Sequence, residues 1–223
     1  MTAPDTFLGK LREHDRAVLE QKWTVRPYDR NEMIIAHGEE GRELFFVMEG
    51  RARATAFSEN GRAVAYRNIG PGEIFGELAA IDGGMRSASV VALESVCVAC
   101  LSEDRFRETM DTQPDFAWAM LEHLSKQVRR LTERVYESST LVVHKRLTRE
   151  LLRLASDHGY TEGGASITPA PTHSDLAAMI GTHREAVSRE MSALVKTGLI
   201  AKRKGSLELN DLDMLALLSS GEE

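Results

Sequence analysis

The chain is nearly without cysteine: Cys97 and Cys100 are the two among 223 residues. With no second CxxC and no histidine pair nearby, a zinc site is excluded. The two lie in the apolar, β-prone run SVCVACLSE, where a separation of three turns their side chains to opposite faces of a strand. They are expected to be small, inert core residues and not a redox couple. Nothing approaches the ~18 consecutive apolar residues of a membrane helix. The opening MTAPDTFLGKLREHD lacks the charged-then-apolar order of a secretory signal, so the cytoplasm is the expected compartment, with no membrane partner. A disorder signature is missing too, since 42% of residues are apolar and 28% charged. The length suits one large domain or two modest ones.

An overall excess of positive charge is also missing, the net charge being −6. Its distribution matters more than its total. Residues 145–205 hold ten Lys and Arg against six Asp and Glu, a balance of +4; residues 206–223 hold five acids and no base, and residues 1–144 carry −5. A block of base inside an acidic chain suits contact with phosphate.

What is present changes period along the chain. Leu8 to about Glu20 reads as a short helix. Residues 31–101 read as short strands separated by turns, with Asn60-Gly61 as a hairpin signal between two apolar runs. Antiparallel strands so spaced predict a sandwich or roll. Ser102 is placed to cap a short helix, and Pro114 to open a much longer one. On the latter, Leu121, Leu124, Val128, Leu131, Val135, Ser138 and Val142 step by threes and fours. That stripe is a heptad seam for self-pairing or the inner face of a helix lying on its own domain; its length and narrowness favour a homodimer. A hinge is expected near Thr140–His144. Basic helical sequence follows, then a loop over Gly163–Pro171, two helices joined by a turn, and the alternating run LIAKRKGSLEL.

Two stretches carry chemistry. In GPGEIFGELAAIDGGMRSASVVAL, residues 70–93, a short helix opens at Gly76-Glu77-Leu78, a Gly83-Gly84 loop follows, and Arg86 enters a strand. Amides at a helix start beside a glycine favour an anion, and Arg86 can add a charge-assisted fork. Glu77 suits a ribose hydroxyl, and Ser87 offers a further hydroxyl. Spacing alone leaves open a surface insertion in which Arg86 and Glu77 pair with each other. In PTHSDLAAMIGTHREAVSREMSALVKTGLI, residues 171–200, Ser174 or Thr172 caps a first helix that buries Leu176 and Ile180, Gly181 permits a tight turn, and Thr182 caps a second helix. There Val187, Met191 and Leu194 form one stripe, while Arg184, Glu185, Ser188 and Arg189 face outward, as a major groove requires. The same face could be merely solvated, with Glu185 and Arg189 paired. Lys202-Arg203-Lys204 is either a phosphate-contacting tip or a solvated turn.

FGELA followed by RSAS resembles the phosphate-binding cassette of cyclic-nucleotide-binding domains, and Arg184-Glu185 with Arg189 resembles the recognition helix of catabolite activators. Together they resemble, over nearly the whole chain, the cyclic-AMP receptor and fumarate–nitrate regulator superfamily of bacterial transcription regulators. The resemblance implies an α+β fold: an antiparallel β-roll (double-stranded β-helix) over residues 1–113, a dimerisation helix over 114–141, and a winged helix-turn-helix over 142–223. It implies that Gly76, Glu77, Leu78, Arg86 and Ser87 hold the cyclic phosphate and ribose. It implies a homodimer binding double-stranded DNA and contacting RNA polymerase, with Thr172, His183, Arg184, Glu185, Ser188, Arg189, Lys202 and Arg203 at the DNA. The effector is expected to be cAMP, or alternatively cGMP: the paired hydroxyls that touch adenine in the family correspond to Leu131-Thr132, and only Thr132 retains one. No cysteine precedes Cys97, and residues 70–93 hold no His or Cys, so iron–sulfur and haem sensing are not expected, nor a metal. No catalytic motif points to an enzyme. The alternative is a regulator of this fold that needs no cyclic nucleotide or senses another signal.

Overall fold

A computed structural model describes residues 5–57, 63–158, 160–161 and 164–220. The chain divides into two compact units, Met1–Arg129 and Arg130–Glu223. The first opens with two helices, α1 (Phe7–Lys10) and α2 (Glu13–Glu20), where the sequence predicts one. Leu11 interrupts them with extended backbone, φ −74° and ψ 140°. Its side chain thereby joins Phe7 and Leu8 in the core.

Strands β1 (Thr24–Tyr28), β2 (Met33–Ile35), β3 (Leu44–Glu49), β4 (Ala52–Phe57), β5 (Ala63–Ile69) and β6 (Ile74–Phe75) come next. Then follow α3 (Glu77–Asp82), β7 (Ser89–Ala92), β8 (Val96–Leu101), α4 (Glu103–Thr112) and the long α5 (Pro114–Thr140). The strands form two antiparallel sheets, in orders β1-β8-β3-β6 and β2-β7-β4-β5. Leu44-Phe45-Phe46-Val47 is apolar without alternation because both faces of its sheet are covered. Leu44 and Phe46 pack with helix residues Leu19, Phe106, Phe116 and Met120. Phe45 and Val47 pack toward Ala52, Ile69 and Val90 of the second sheet. Cys100 is buried among these and Cys97 is half-buried on the opposite face, both as free thiols. Burial raises the pKa of each, so neither is an activated thiolate. The β4–β5 pairing is antiparallel, while the expected Asn60-Gly61 turn lies outside the described residues.

Ser102 stands at the start of α4 but makes no side-chain cap bond. Helix α5 does begin at Pro114, where a missing N–H costs nothing. Phe116, Ala119 and Met120 face the core, and Leu124 of the expected seam packs against that same core. Leu121 and Val128 are 54% and 62% exposed, and further along Leu131 and Val135 are 60% and 66% exposed.

The second unit contains α6 (Val143–His158), β9 (Tyr160–Thr161), β10 (Gly164–Ile167), α7 (His173–Met179), α8 (Arg184–Lys196), β11 (Ile200–Lys202), β12 (Leu207–Leu209) and α9 (Leu212–Ser220). Its strands run β11-β12-β10-β9, each pair antiparallel. Strand β10 replaces part of the loop expected over Gly163–Pro171. Gly164 sits there because the neighbouring strand is close: a Cβ would lie 2.1 Å from the Leu209 carbonyl. Leu147, Leu151, Leu176, Val187, Met191 and Leu215 fill the core. The last turns of α5 are held to α6 by buried ions: Glu137 pairs with Arg153 and Arg149, and Glu150 with Arg153 and Arg134. Among the described residues no helix is long and apolar enough to cross a membrane.

Phe46 is fully buried, with Phe7 and Trp23 rings 6.0 and 5.3 Å away. Phe46→Ala should cost the first unit about 3–5 kcal/mol through the cavity left behind. Met85→Ala, at a site 65% exposed, should change stability by less than about 0.5 kcal/mol. Urea unfolding followed by Trp23 and Trp118 fluorescence checks both.

Candidate functional site

In the first unit, β3 and β6 deliver the cassette. Phe45 pairs with Phe75, their rings stacked 5.0 Å apart, and Gly76 follows with φ +80°. A Cβ at Gly76 would lie 2.7 Å from Arg86 Nη1 and 3.0 Å from the Glu43 carbonyl oxygen, so only glycine fits. Helix α3 opens directly after it, and its first amides have no acceptor within the helix.

Arg86 does not enter a strand. It lies three residues before β7, in irregular chain pinned by Arg86 N–H donating to Glu39 O at 3.0 Å and Gly38 N–H donating to Arg86 O at 2.9 Å. Its side chain is not a surface group: the residue is 5% exposed. Nη1 donates to the carbonyls of Glu43 and Gly76, and Nη2 to the Glu43 carboxylate, each at 3.0 Å. Burial lowers the guanidinium pKa and the Glu43 carboxylate opposes that, but arginine stays charged. Of five guanidinium donors, three are committed to described residues, which leaves one Nη2 hydrogen and Nε–H for an anion.

Glu77 does not pair with Arg86. It is buried, and its Oε1 accepts from Gln127 Nε2 of α5 at 2.8 Å. His123, one turn earlier on α5, lies 2.9 Å from the same Gln127 nitrogen and 4.0 Å from Glu77. Burial above all, with Arg67, Lys10 and Lys126 nearby, lowers the His123 pKa to about 4, so the ring is neutral and accepts from the amide. Glu77 Oε2 has no bond to a described residue and can accept from a ligand hydroxyl. Leu78 and Ser87 are exposed at the rim. An arginine fork, a glycine that allows close approach and a half-committed carboxylate can together hold an anion and a neighbouring hydroxyl.

In the second unit, Thr172 caps α7 in a reciprocal box: its Oγ1 accepts from Asp175 N–H at 3.1 Å and the Asp175 carboxylate from Thr172 N–H at 3.0 Å. Gly181 makes the turn with φ +65°, and Arg146 Nη1 of α6 donates to the Ile180 carbonyl at 2.8 Å, which fixes it. The cap of α8 is His183, not Thr182, and it makes no side-chain bond. Thr182 is buried and its N–H donates to the Ala177 carbonyl, so it belongs to the turn. Val187 and Met191 face the core, while His183, Arg184, Glu185 and Arg189 are exposed. Ser188 is half-buried: His173, which the sequence does not single out, holds its Oγ at 2.7 Å. Lys202 ends β11, and Arg203 lies in the turn closed by Arg203 N–H to Ser206 O at 3.0 Å. This part is a two-stranded wing with its bases exposed. Thr132, the remaining expected site residue, is exposed on α5 within the second unit. Among the described residues no group of three or more His, Cys, Asp or Glu could hold a metal.

A family model described as a cyclic nucleotide-binding domain matches residues 25–113, and one described as a Crp-like helix-turn-helix domain matches residues 145–218. The chain is 27% identical over 195 residues to the CRP-like cAMP-activated global transcriptional regulator of Mycobacterium tuberculosis, covering 86% of this chain and 87% of that one. It is 28% identical over 196 residues to the cyclic AMP receptor protein of Thermus thermophilus, covering 88% of each. Among solved structures, a CRP/FNR-family transcriptional regulator from Thermus thermophilus superposes with a TM-score of 0.73 at 27% identity, covering 90% of this chain and all of that one.

The neutral, half-buried His123 makes acid sensitivity a test of the site. Between pH 6.5, the ordinary imidazole value, and about 4, the unfolded chain binds a proton that the folded chain does not. Stability should therefore fall as pH falls through that window. His123→Phe keeps a ring against Phe7, 6.2 Å away, and should flatten this part of the profile. Urea midpoints between about pH 7 and about pH 4.5 give the slope; an equal slope in both proteins would assign the acid sensitivity elsewhere.

Proposed function

The chain belongs to the cyclic-AMP receptor and fumarate–nitrate regulator superfamily, and on that premise we propose a transcription regulator whose DNA binding is set by a cyclic nucleotide. In functional terms residues 1–113 form the sensor, 114–141 the dimerising helix and hinge, and 142–223 the DNA-binding domain. It acts as a homodimer through the exposed stripe of α5, works in the cytoplasm and meets RNA polymerase at its promoters.

The observation that carries this reading is Arg86, buried behind a glycine that can be nothing else, with two donors uncommitted. Arg86 and the amides after Gly76 hold the phosphate, Glu77 accepts from the ribose 2′-hydroxyl, and Leu78 and Ser87 complete the rim. Thr132 is assigned to the base, contributed across the dimer. The names of the relatives favour cAMP, and the single hydroxyl at Leu131-Thr132 keeps cGMP as the alternative. The ligand shifts the regulator only by its difference in affinity for two states. On DNA, Arg184 and Arg189 read guanine and Glu185 accepts from cytosine, while Thr172, His183, Ser188, Lys202 and Arg203 meet bases or phosphate at the edges.

One observation favours a second reading, a regulator of this fold without a cyclic nucleotide: the Glu43 carboxylate already occupies part of the Arg86 fork at 3.0 Å.

Calorimetric titration with cAMP, then cGMP, separates the two. Arg86→Lys, which keeps charge and loses the fork, should weaken binding at least about tenfold; nucleotide binding absent in wild type would favour the second reading, and binding undiminished in the variant would remove Arg86 from the phosphate site. Selection from random DNA should return an inverted repeat with half-site centres about 34 Å apart. Arg184→Ala should cost about 1–3 kcal/mol per half-site and relax one position, whereas Arg203→Ala should weaken all sequences alike and lower the salt dependence.

A further inference from the structure

His173 opens α7, and its ring lies between the second helix and the wing: Nδ1 is 2.7 Å from Ser188 Oγ and Nε2 is 2.9 Å from Lys202 Nζ. The direction of each bond follows from chemistry. An ammonium only donates, so Nε2 accepts, and the neutral ring carries its proton on Nδ1. That Nδ1–H only donates, so Ser188 Oγ accepts. The serine's own hydrogen is then turned away from the ring. A single imidazole sets the polarity of a hydroxyl on α8 and seats an ammonium of β11.

We infer that His173 is a positioning residue of the DNA interface: it presents Ser188 as a hydrogen-bond donor and holds Lys202 beside the recognition helix. This rests on the DNA-reading role proposed above for α8 and the wing. A hydroxyl fixed as a donor selects a base acceptor, such as purine N7, guanine O6 or thymine O4, over the amino group of cytosine. Without the ring, the hydroxyl rotates and accepts or donates equally, and its discrimination is lost although the serine remains.

The charged groups facing the ring are Lys202 from β11 and Arg184 from α8. Partial burial first, and then these two cations, lower the imidazole pKa, so the neutral form is the resting one near pH 7. Protonation makes Nε2 a donor and sets a cation against Lys202, which leaves; Nδ1–H still serves Ser188. Acid therefore releases the wing lysine and spares the base preference.

The test is binding of the full-length protein, with its effector, to its selected inverted repeat and to single-position variants of it. Ser188→Ala should flatten the preference at one base pair, by roughly three- to tenfold per half-site. His173→Ala should flatten the same base pair, and the double variant should be no worse there than Ser188→Ala alone. His173→Gln supplies one donor and one acceptor and should restore the preference. Lys202 released by acid can reach phosphate, so wild type should gain more affinity for unrelated DNA on acidification than His173→Gln does. Additive losses, unchanged preference in His173→Ala, or equal pH profiles in wild type and His173→Gln would overturn the inference while leaving the DNA-reading role standing. Failure of the wild-type protein to prefer any inverted repeat would instead overturn that role, and the inference with it.

Discussion

A cation cannot be buried without partners, and in the first unit the partners chosen for Arg86 define the cassette. Its guanidinium joins the Glu43 carbonyl at the start of β3, the Gly76 carbonyl before α3 and the Glu43 carboxylate. The segments at Glu43 and Gly76 are thus brought to one point beside Arg86. Gly76 must lack a side chain because Nη1 takes that space, and its left-handed backbone turns the α3 amides to the same side. Losing the fork would leave two carbonyls facing a void, each costing about 1–3 kcal/mol if water does not reach it. The side chain proposed to bind the ligand is therefore also the one that orders the cassette, so a variant at Arg86 is expected to affect both.

The second unit solves a different problem. Its candidate DNA-facing groups must be exposed yet held in position, and exposed long side chains are not held by packing. The structure holds the backbone under them instead. The reciprocal Thr172–Asp175 cap fixes the start of α7, and the Arg146 bond to Ile180 together with Gly181 fixes the turn. Val187 and Met191 then fix the rotation of α8 about its axis, which decides that Arg184, Glu185 and Arg189 point outward. The local excess of four positive charges within a chain of net charge −6 follows the same logic. Base is concentrated where phosphate is to be met, and acid elsewhere discourages contact in other orientations.

Local rules made much of this legible. Proline at the start of α5, the Gly181 turn and the glycine before α3 each act over a few residues, and each stands where sequence places it; of the two caps offered for α7, Thr172 is the one used. The cassette was legible as a motif. What stayed hidden depends on distant partners. Nothing near Arg86 reveals that Glu43 holds it, nor does anything near Glu77 point fifty residues onward to Gln127. His173 reads as an unremarkable polar residue until Lys202, 29 residues away, is placed against it. Gly164 misleads for a related reason: glycine marks a loop when it supplies a turn, and a strand when another backbone passes close by. Leu124 fits the heptad by spacing, but the core of its own unit lies within its reach.

The buried ions behind the DNA-binding elements limit how any signal could travel. Glu137, near the end of α5, and Glu150, on α6, share Arg153, and both are less than a tenth exposed. Removing one partner from such a cluster costs about 3–5 kcal/mol, because a charge is left buried without a counterpart. Coupling between two sites is commonly about 1–3 kcal/mol. Opening the corner at Leu141–Val142 separates these pairs and returns both charges to water, which costs less than removing one of them, so the hinge proposed there is loaded by the pairs that span it and not locked. The α7–α8 turn, anchored by Arg146 from α6, follows α6 when the corner moves.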